Sequence, residues 1–418
     1  MNSTLGLMKR AVWCINAVLL LATASLAQAQ PDPLTVYRQL PREEKIRRAL
    51  LGAPEHLRKE AAVLILEKNG YVKAKEGTNG FTCIETESFD HPAPECFDAE
   101  ASETILKRIL RSKELAFAGK SEDEINTILS EEYRTGKLRK PQRVGVVYMY
   151  NSENFSFKYP AHSMFYAPNE PTSNAVIGAS DKTSSELSYP WVLPGEDYII
   201  ALNLAIGEKY ETPPMPAAMA QGAPDKNGLP ALIPREEEIA IALSAGPETI
   251  RQNATVYVLE RGKGFVKTRE GTNGFSCLVL REGHHGTAPN CFDAEGSVTT
   301  LRARLRAAEL LETGKSVKEI NRIIANEYKA GKLLAPRRNG LSYMLSNHNY
   351  VNSQSGKLIW YPPHYMVYAP YVKNSDIGAL PSHLGSTHHP WVLNEGEPDA
   401  YIIIVPPKGQ GDHNHKTN

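Results

Sequence analysis

The stretch EGTNGFTC, Glu76–Cys83, returns almost unchanged as EGTNGFSC, Glu270–Cys277. Around it the chain repeats itself in the same order. CFDAE at Cys96–Glu100 recurs at Cys291–Glu295, GKSEDEIN at Gly119–Asn126 as GKSVKEIN at Gly314–Asn321, and YM at Tyr148–Met149 as Tyr343–Met344. AHSMFYAP at Ala161–Pro168 corresponds to PHYMVYAP at Pro363–Pro370, and PWVL at Pro190–Leu193 to Pro390–Leu393. Gly271 stands 194 positions after Gly77, and Pro390 stands 200 after Pro190, so the two copies are collinear with few insertions. The chain therefore reads as two homologous domains in tandem, unit one over 41–204 and unit two over 234–406. Residues 205–233 between them are rich in proline, glycine and alanine, lack apolar periodicity and read as a linker. The polar residues 407–418 read as a disordered tail.

Each unit opens with a short helix, PREEKIRRALL at Pro41–Leu51 and PREEEIAIALS at Pro234–Ser244. Proline at the first turn followed by acids is a good helix start. AAVLILE at Ala61–Glu67 fits helix or strand, but its counterpart ATVYVLE, Ala254–Glu260, is β-branched and aromatic, so both are expected to be strands. Asn69–Gly70 and Lys263–Gly264 then turn each chain into a hairpin. GTNG makes a second turn, where glycine and asparagine tolerate positive φ, and a third strand follows that carries the first cysteine. Two helices come next. Ser121-x-x-Glu124 and Ser316-x-x-Glu319 are capping boxes, and Gly136 and Gly331 supply C-terminal stops. Ile125, Ile128, Leu129 and Tyr133 share one face of the second helix. The remainder reads as strands. The expected class is α+β: in each domain a small, mostly antiparallel sheet, two to three helices and one disulfide.

Residues 1–29 read as a secretory signal peptide, with Lys9 and Arg10 before an apolar run and Ala27-Gln28-Ala29 at the cleavage site. No later segment is apolar enough to span a bilayer, so no transmembrane span is expected in the mature chain, which is placed in the periplasm or secreted. Lysine plus arginine number 47, as do aspartate plus glutamate. That balance excludes the basic footprint of a nucleic-acid binder. Outside the signal peptide stand four cysteines, Cys83, Cys96, Cys277 and Cys291, two per unit at matched spacing, which in an oxidising compartment reads as disulfides. Pairing within each unit is favoured, because each unit folded alone before it was copied. Each bridge closes a loop that stabilises by roughly 3 kcal/mol. The alternative, a four-cysteine zinc site, lacks the short spacing such sites use.

These motifs together resemble a group of uncharacterised secreted bacterial proteins. The resemblance rests on the GTNG-aromatic-x-C turns (Gly77–Cys83, Gly271–Cys277), the P-x-C-x-D segments (Pro94–Asp98, Pro289–Asp293), the YM strands and the PH-x-M strand (Pro363–Met366; Ala161–Met164 in unit one). Unit two also keeps the closing G-x-P step at Gly396-Glu397-Pro398, where unit one has Asp197 in place of the proline. The resemblance implies export and a shared fold. It transfers no catalytic residue.

Polar residues kept in both copies are the candidates for chemistry. His162 and His364 start a strand and carry Tyr166 and Tyr368 four residues on, on the same side. With Asp98 or Asp293 nearby, such a set can do general acid–base work; the structural alternative is a half-buried histidine bonded to a carbonyl, a core tyrosine and an aspartate that caps a helix. Arg143 and Arg338 are weak candidates for an anionic ligand, against a structural ion pair. Glu76 and Glu270 read as solvated turn residues, Asn79 and Asn273 as turn formers. Nine of the twelve histidines lie in the second half, His284-His285 and His388-His389 among them, which suggests a transition-metal site particular to unit two. No H-x3-H or HExxH supports it, so no metal ligands are assigned and no cofactor is expected. No G-x-S-x-G, P-loop or dinucleotide fingerprint is present. Three functions follow as expectations. The first is a non-catalytic binding or envelope-interaction protein with an unknown ligand or envelope component as partner, packed as a pseudo-dimer within one chain and supported by its 19 tyrosines. The second is a hydrolase or isomerase using His364, Asp293 and Tyr368. The third is metal binding through the unit-two histidines.

Overall fold

The computed structural model describes residues 33–88, 91–150, 161–166, 173–179, 190–193, 199–205, 208–214, 229–282, 286–352 and 358–408. The expected signal peptide, linker residues 206–207 and 215–228, the tail from 409, and His284, His285, His413 and His415 lie outside the described residues.

The first half builds one mixed sheet. Its strands are β1 (Ala62–Glu67), β2 (Gly70–Lys75), β3 (Thr82–Ser88), β4 (His91–Phe97), β5 (Gly145–Met149), β6 (His162–Tyr166), β7 (Trp191–Leu193) and β8 (Ile199–Asn203). They lie in the order β2-β1-β3-β4-β5-β6-β8-β7. The second half follows with β9 (Thr255–Glu260), β10 (Gly264–Arg269), β11 (Ser276–Glu282), β12 (Gly286–Phe292), β13 (Leu341–Met344), β16 (His364–Tyr368), β17 (Trp391–Leu393) and β18 (Tyr401–Ile404). Their order is β10-β9-β11-β12-β13-β16-β18-β17, with a short ribbon of β14 (Tyr350–Asn352) and β15 (Leu358–Trp360) attached to β12. The class is α+β, with one cystine in each half.

The repeated GTNG stretch explains how each sheet is threaded. β1 and β2 form the expected hairpin, closed at Glu67↔Gly70. The chain then crosses to the other side of β1, and β3 runs parallel to it, Val63 opposite Cys83. GTNG is therefore the turn of a crossover from β2 to β3. Gly77 lies so close to the backbone of Ala61 and Ala62 that a Cβ would sit 2.1 Å from Ala62 N, and Gly271 is held the same way against Asn253–Thr255. The positive φ falls on Gly80 and Gly274, while the asparagines work through their side chains. Asn79 Nδ2 donates to Leu57 O and its Oδ1 accepts from Phe81 N; Asn273 does the same with Ile250 O and Phe275 N. The motif clasps the crossover to the turn before β1.

The segment between the cysteines is the second arm of a hairpin that the sequence reading left without an element. Pro92 and Pro94 argue against a central strand, because proline donates no ladder hydrogen bond. β4 avoids the conflict: β5 pairs only with its last two residues, Cys96 and Phe97, so the prolines need no partner on that side. In the hairpin Cys83 faces Cys96 and Cys277 faces Cys291, with Cα atoms 4.1 Å apart in both, so each cystine joins directly opposed residues.

Helices cover the sheets unequally. The opening helices, Arg42–Leu50 and Arg235–Ser244, pack on the inner faces, and the longer helices Ile105–Phe117 and Thr300–Glu312 on the outer ones. Both capping boxes form, with Ser121 N and Ser316 N each 2.9 Å from the glutamate three residues on. Ile125 and Leu129 bury against Leu115, with Ile128 and Tyr133 packed beside them.

One buried core runs from the inner face of the first sheet to that of the second. The contacts that cross it are reciprocal. Tyr148 Oη donates to Ile377 O at 2.6 Å, and Tyr343 Oη donates to Ile177 O. Ile177 and Ile377 are fully buried, each followed by a glycine of positive φ. Gly378 is wedged against Leu57 and Phe81, and Gly178 against their counterparts Ile250 and Phe275. The carbonyl of Gly378 faces His56 Nε2, and that of Gly178 accepts from Thr249. The first residues of the expected linker also lie on the second half, where Tyr210 Oη donates to Pro406 O.

Candidate functional site

The two aspartates close the N-termini of short helices behind their cysteines. Asp98 accepts from Ala101 N at 2.7 Å and Asp293 from Gly296 N at 2.9 Å. Both are fully buried. Asp98 also takes a 3.2 Å contact from Arg143, whose other nitrogen stands 3.8 Å from Asp376 of the second half. Burial raises the Asp98 carboxyl to about 6 against the pull of Arg143. The second copy is wired differently. Arg338 goes to Glu295 at 3.2 Å, and Asp293 Oδ2 accepts instead from Leu341 N at 2.9 Å. Tyr368 completes the site: its hydroxyl donates to Leu341 O and lies against Asp293. Burial raises Asp293 to about 7 and holds the Tyr368 phenol well above its ordinary value.

Glycines make this arrangement possible. A Cβ on Gly296 would stand 1.8 Å from the Tyr368 hydroxyl, and one on Gly340 would stand 2.3 Å from Asp293 Oδ2. The first half has Ala101 where the second has Gly296, and there the Ala101 methyl packs over Gly145. The two copies therefore differ at this point: the first carries the Ala101 methyl beside Gly145, and the second leaves room at Gly296 for the Tyr368 hydroxyl.

His364 is not part of this group. Asp293 meets Tyr368 at the C-terminal end of β16, through Leu341, whereas His364 begins that strand opposite Met344. Four strand residues separate the two side chains by roughly 13 Å. His364 is 4% exposed, its Nδ1 faces Pro362 O at 2.8 Å, and the ring packs edge-on to Tyr361. A carbonyl only accepts, so Nδ1 carries the proton. Burial lowers the imidazole to about 4, which keeps it neutral. His162 and Tyr166 are buried in the equivalent places of β6. The structure therefore brings together Asp293 and Tyr368, and Asp98 and Arg143, but not histidine with aspartate.

Glu76 and Glu270 lie in solvent beside Lys73 and Lys267. Many of the described tyrosines serve the core, Tyr148, Tyr343, Tyr365 and Tyr368 among the most fully buried side chains, while Tyr371 is exposed.

The sequence reading missed a histidine cluster that crosses between the halves. His383 and His389, from the segment after β16, stack with ring centroids 4.3 Å apart; His56 of the first half stands edge-on to His383 at 4.8 Å. Tyr150 Oη lies 3.2 Å from His389 Nδ1. His383 Nδ1 accepts from Leu380 N at 3.1 Å, so the neutral ring keeps its proton on Nε2. That tautomer withholds a lone pair from a metal, and no group of three or more histidine, cysteine, aspartate or glutamate side chains among the described residues is placed to hold one. Burial and the neighbouring imidazoles of His389 and His56 lower His383 to about 4, and burial lowers His389 as well. The missed signal was a further repeat, Asn174-x-x-Ile177-Gly178-Ala179 against Asn374-x-x-Ile377-Gly378-Ala379, which marks the docking segments.

Among the described residues no helix is long and apolar enough to cross a membrane. Comparison with known proteins returned no matching family, no matching curated protein and no matching solved structure.

Proposed function

We propose that this chain is an exported, non-catalytic binding or envelope-interaction protein whose two repeat units pack as a pseudo-dimer. One observation carries the reading. The groups best suited to acid–base chemistry are already used by the fold: Asp98 and Asp293 as helix caps, His364 on a carbonyl, Tyr368 beneath Gly296. All are buried away from any substrate. The reciprocal tyrosine-to-isoleucine bonds are what a two-fold pairing of like units predicts, and the paired cystines suit an oxidising compartment. The likeness to exported proteins carrying the same turn and strand motifs agrees with this placement.

The test is co-sedimentation of the purified mature protein with envelope fractions of a Gram-negative cell, run beside a panel of ester, peptide and glycoside substrates. Saturable binding to one fraction with no turnover supports the reading. Turnover abolished by His364→Ala or Asp293→Asn in chains that remain folded replaces it with the hydrolase.

A further inference from the structure

We infer that the His56–His383–His389 cluster is an acid-released latch that holds the second half's segment 378–390 on the first half. The segment meets the first half at two polar points, and a third ties it to the linker. His56 Nε2 meets Gly378 O at 2.8 Å, Tyr150 Oη meets His389 Nδ1 at 3.2 Å, and His388 Nδ1 lies 2.9 Å from Ala205 O. Leu380 and Leu384 are each 42% exposed, so outward-facing leucines do not anchor it, while His383 between them is 8% exposed. Beyond Gly378 and Ala379, which pack on the shared core, the polar contacts of the segment run through imidazoles.

The chemistry makes it sensitive to acid. To take up a second proton His383 must use Nδ1, and Leu380 N–H already points at that atom. Protonation breaks this bond and removes the cap of the turn Pro381–His383. It also sets a cation 4.3 Å from one imidazole and 4.8 Å from another. The groups acting on the pair come from every side: His56 from the helix Glu55–Arg58, Tyr150 beyond β5, and His388 beside His389. Asp376, on the turn before Gly378, accepts from Lys373 N and faces Arg143. Undocking returns His383 to water, where it charges near pH 6.5.

The test is hydrogen exchange of the full chain at pH 7.5 and pH 5, corrected for the intrinsic pH dependence of exchange, with peptides covering 378–390 read against peptides from β16. His383 alone, rising from about 4 when docked to its free value, gives about a 30-fold larger undocked population at pH 5. Preferential deprotection of 378–390 of that order supports the latch. His383→Asn retains an acceptor for Leu380 N–H but takes up no proton, and it should abolish most of the effect. Deprotection equal in 378–390 and β16, or unchanged by His383→Asn, overturns the proposal. Should that variant fail to fold, the imidazole titration of His383 in the unaltered protein decides: a midpoint near 6.5 in the docked chain overturns it equally.

Discussion

Tyr148 Oη and the carbonyl oxygen of Ile377 are joined by a 2.6 Å hydrogen bond across 229 positions of sequence. Its mirror image joins Tyr343 to Ile177. Each tyrosine rises from the centre of its own sheet, and each isoleucine ends the docking turn of the other half. Phenylalanine at either position keeps the ring and leaves a buried carbonyl unpaired. Tyr148→Phe and Tyr343→Phe should each destabilise by about 1–2 kcal/mol, read as a lowered urea midpoint with unchanged m-value. A neutral result at both positions removes the bonds from any account of how the halves hold together.

The glycine after each isoleucine gives a sharper contrast. Gly378 has φ +68°, and a Cβ there would stand 2.8 Å from Leu57 Cδ2; Gly331 has φ +70° with nothing within 4 Å. Gly331→Ala carries only the conformational cost of a left-handed backbone, about 1–2 kcal/mol. Gly378→Ala adds overpacking of about 1–3 kcal/mol. Equal shifts in thermal unfolding would show that the docking turn yields freely.

Asp293, Tyr368 and Gly296 form a coupled set. Gly296→Ala drives a methyl group into the Tyr368 hydroxyl and should cost about 2 kcal/mol. Combined with Tyr368→Phe, which removes that oxygen, the alanine becomes tolerable. A double-mutant cycle should return a coupling of about 1–2 kcal/mol. Simple additivity would place the strain elsewhere.

His364 sets a pH dependence whose sign is fixed. Its folded value of about 4 lies below the unfolded value, so the unfolded chain takes up the proton first. Stability from this group is full above pH 6.5 and falls by about 1.4 kcal/mol per pH unit down to pH 4, about 3 kcal/mol in all. Asp293, raised to about 7, acts in the opposite sense: its contribution is full below the unfolded carboxyl value and is lost as pH rises through 7. The two are separated by subtraction. The stability difference between the unaltered chain and His364→Asn should shrink as pH falls from 6.5 to 4.5, and a constant difference rules out titration of His364 as the cause.

Both cystines lie wholly within the core. Native protein in reductant should resist alkylation and become labelled only on addition of urea, and loss of either bridge should cost roughly 3 kcal/mol. Rapid labelling without denaturant would show that the hairpins open locally.

Local signals made much of the fold legible. The β1–β2 hairpin was marked by Asn69–Gly70, the helices by their serine caps, and the cystine pairing by duplicated spacing. β4 was not legible, because the reason its prolines are tolerated is the short reach of β5. The candidate site divided in the same way. Burial of His364 and capping by Asp98 could be weighed in advance, since both depend on neighbours in sequence. The separation of His364 from Asp293 could not, since it depends on which end of β16 meets β12 through β13.

By itself the sequence determined the recurrence of its own motifs, the α+β class, the positions of the caps and turns, and which cysteines come in pairs. All of these follow from interactions within about twenty residues or from comparison of one copy with the other. Only the tertiary structure decided that GTNG is a crossover clasp, that Tyr148 and Tyr343 serve the interior, and that His56 meets His383 and His389. Those outcomes depend on which surfaces pack together, and packing brings together residues that no local pattern relates.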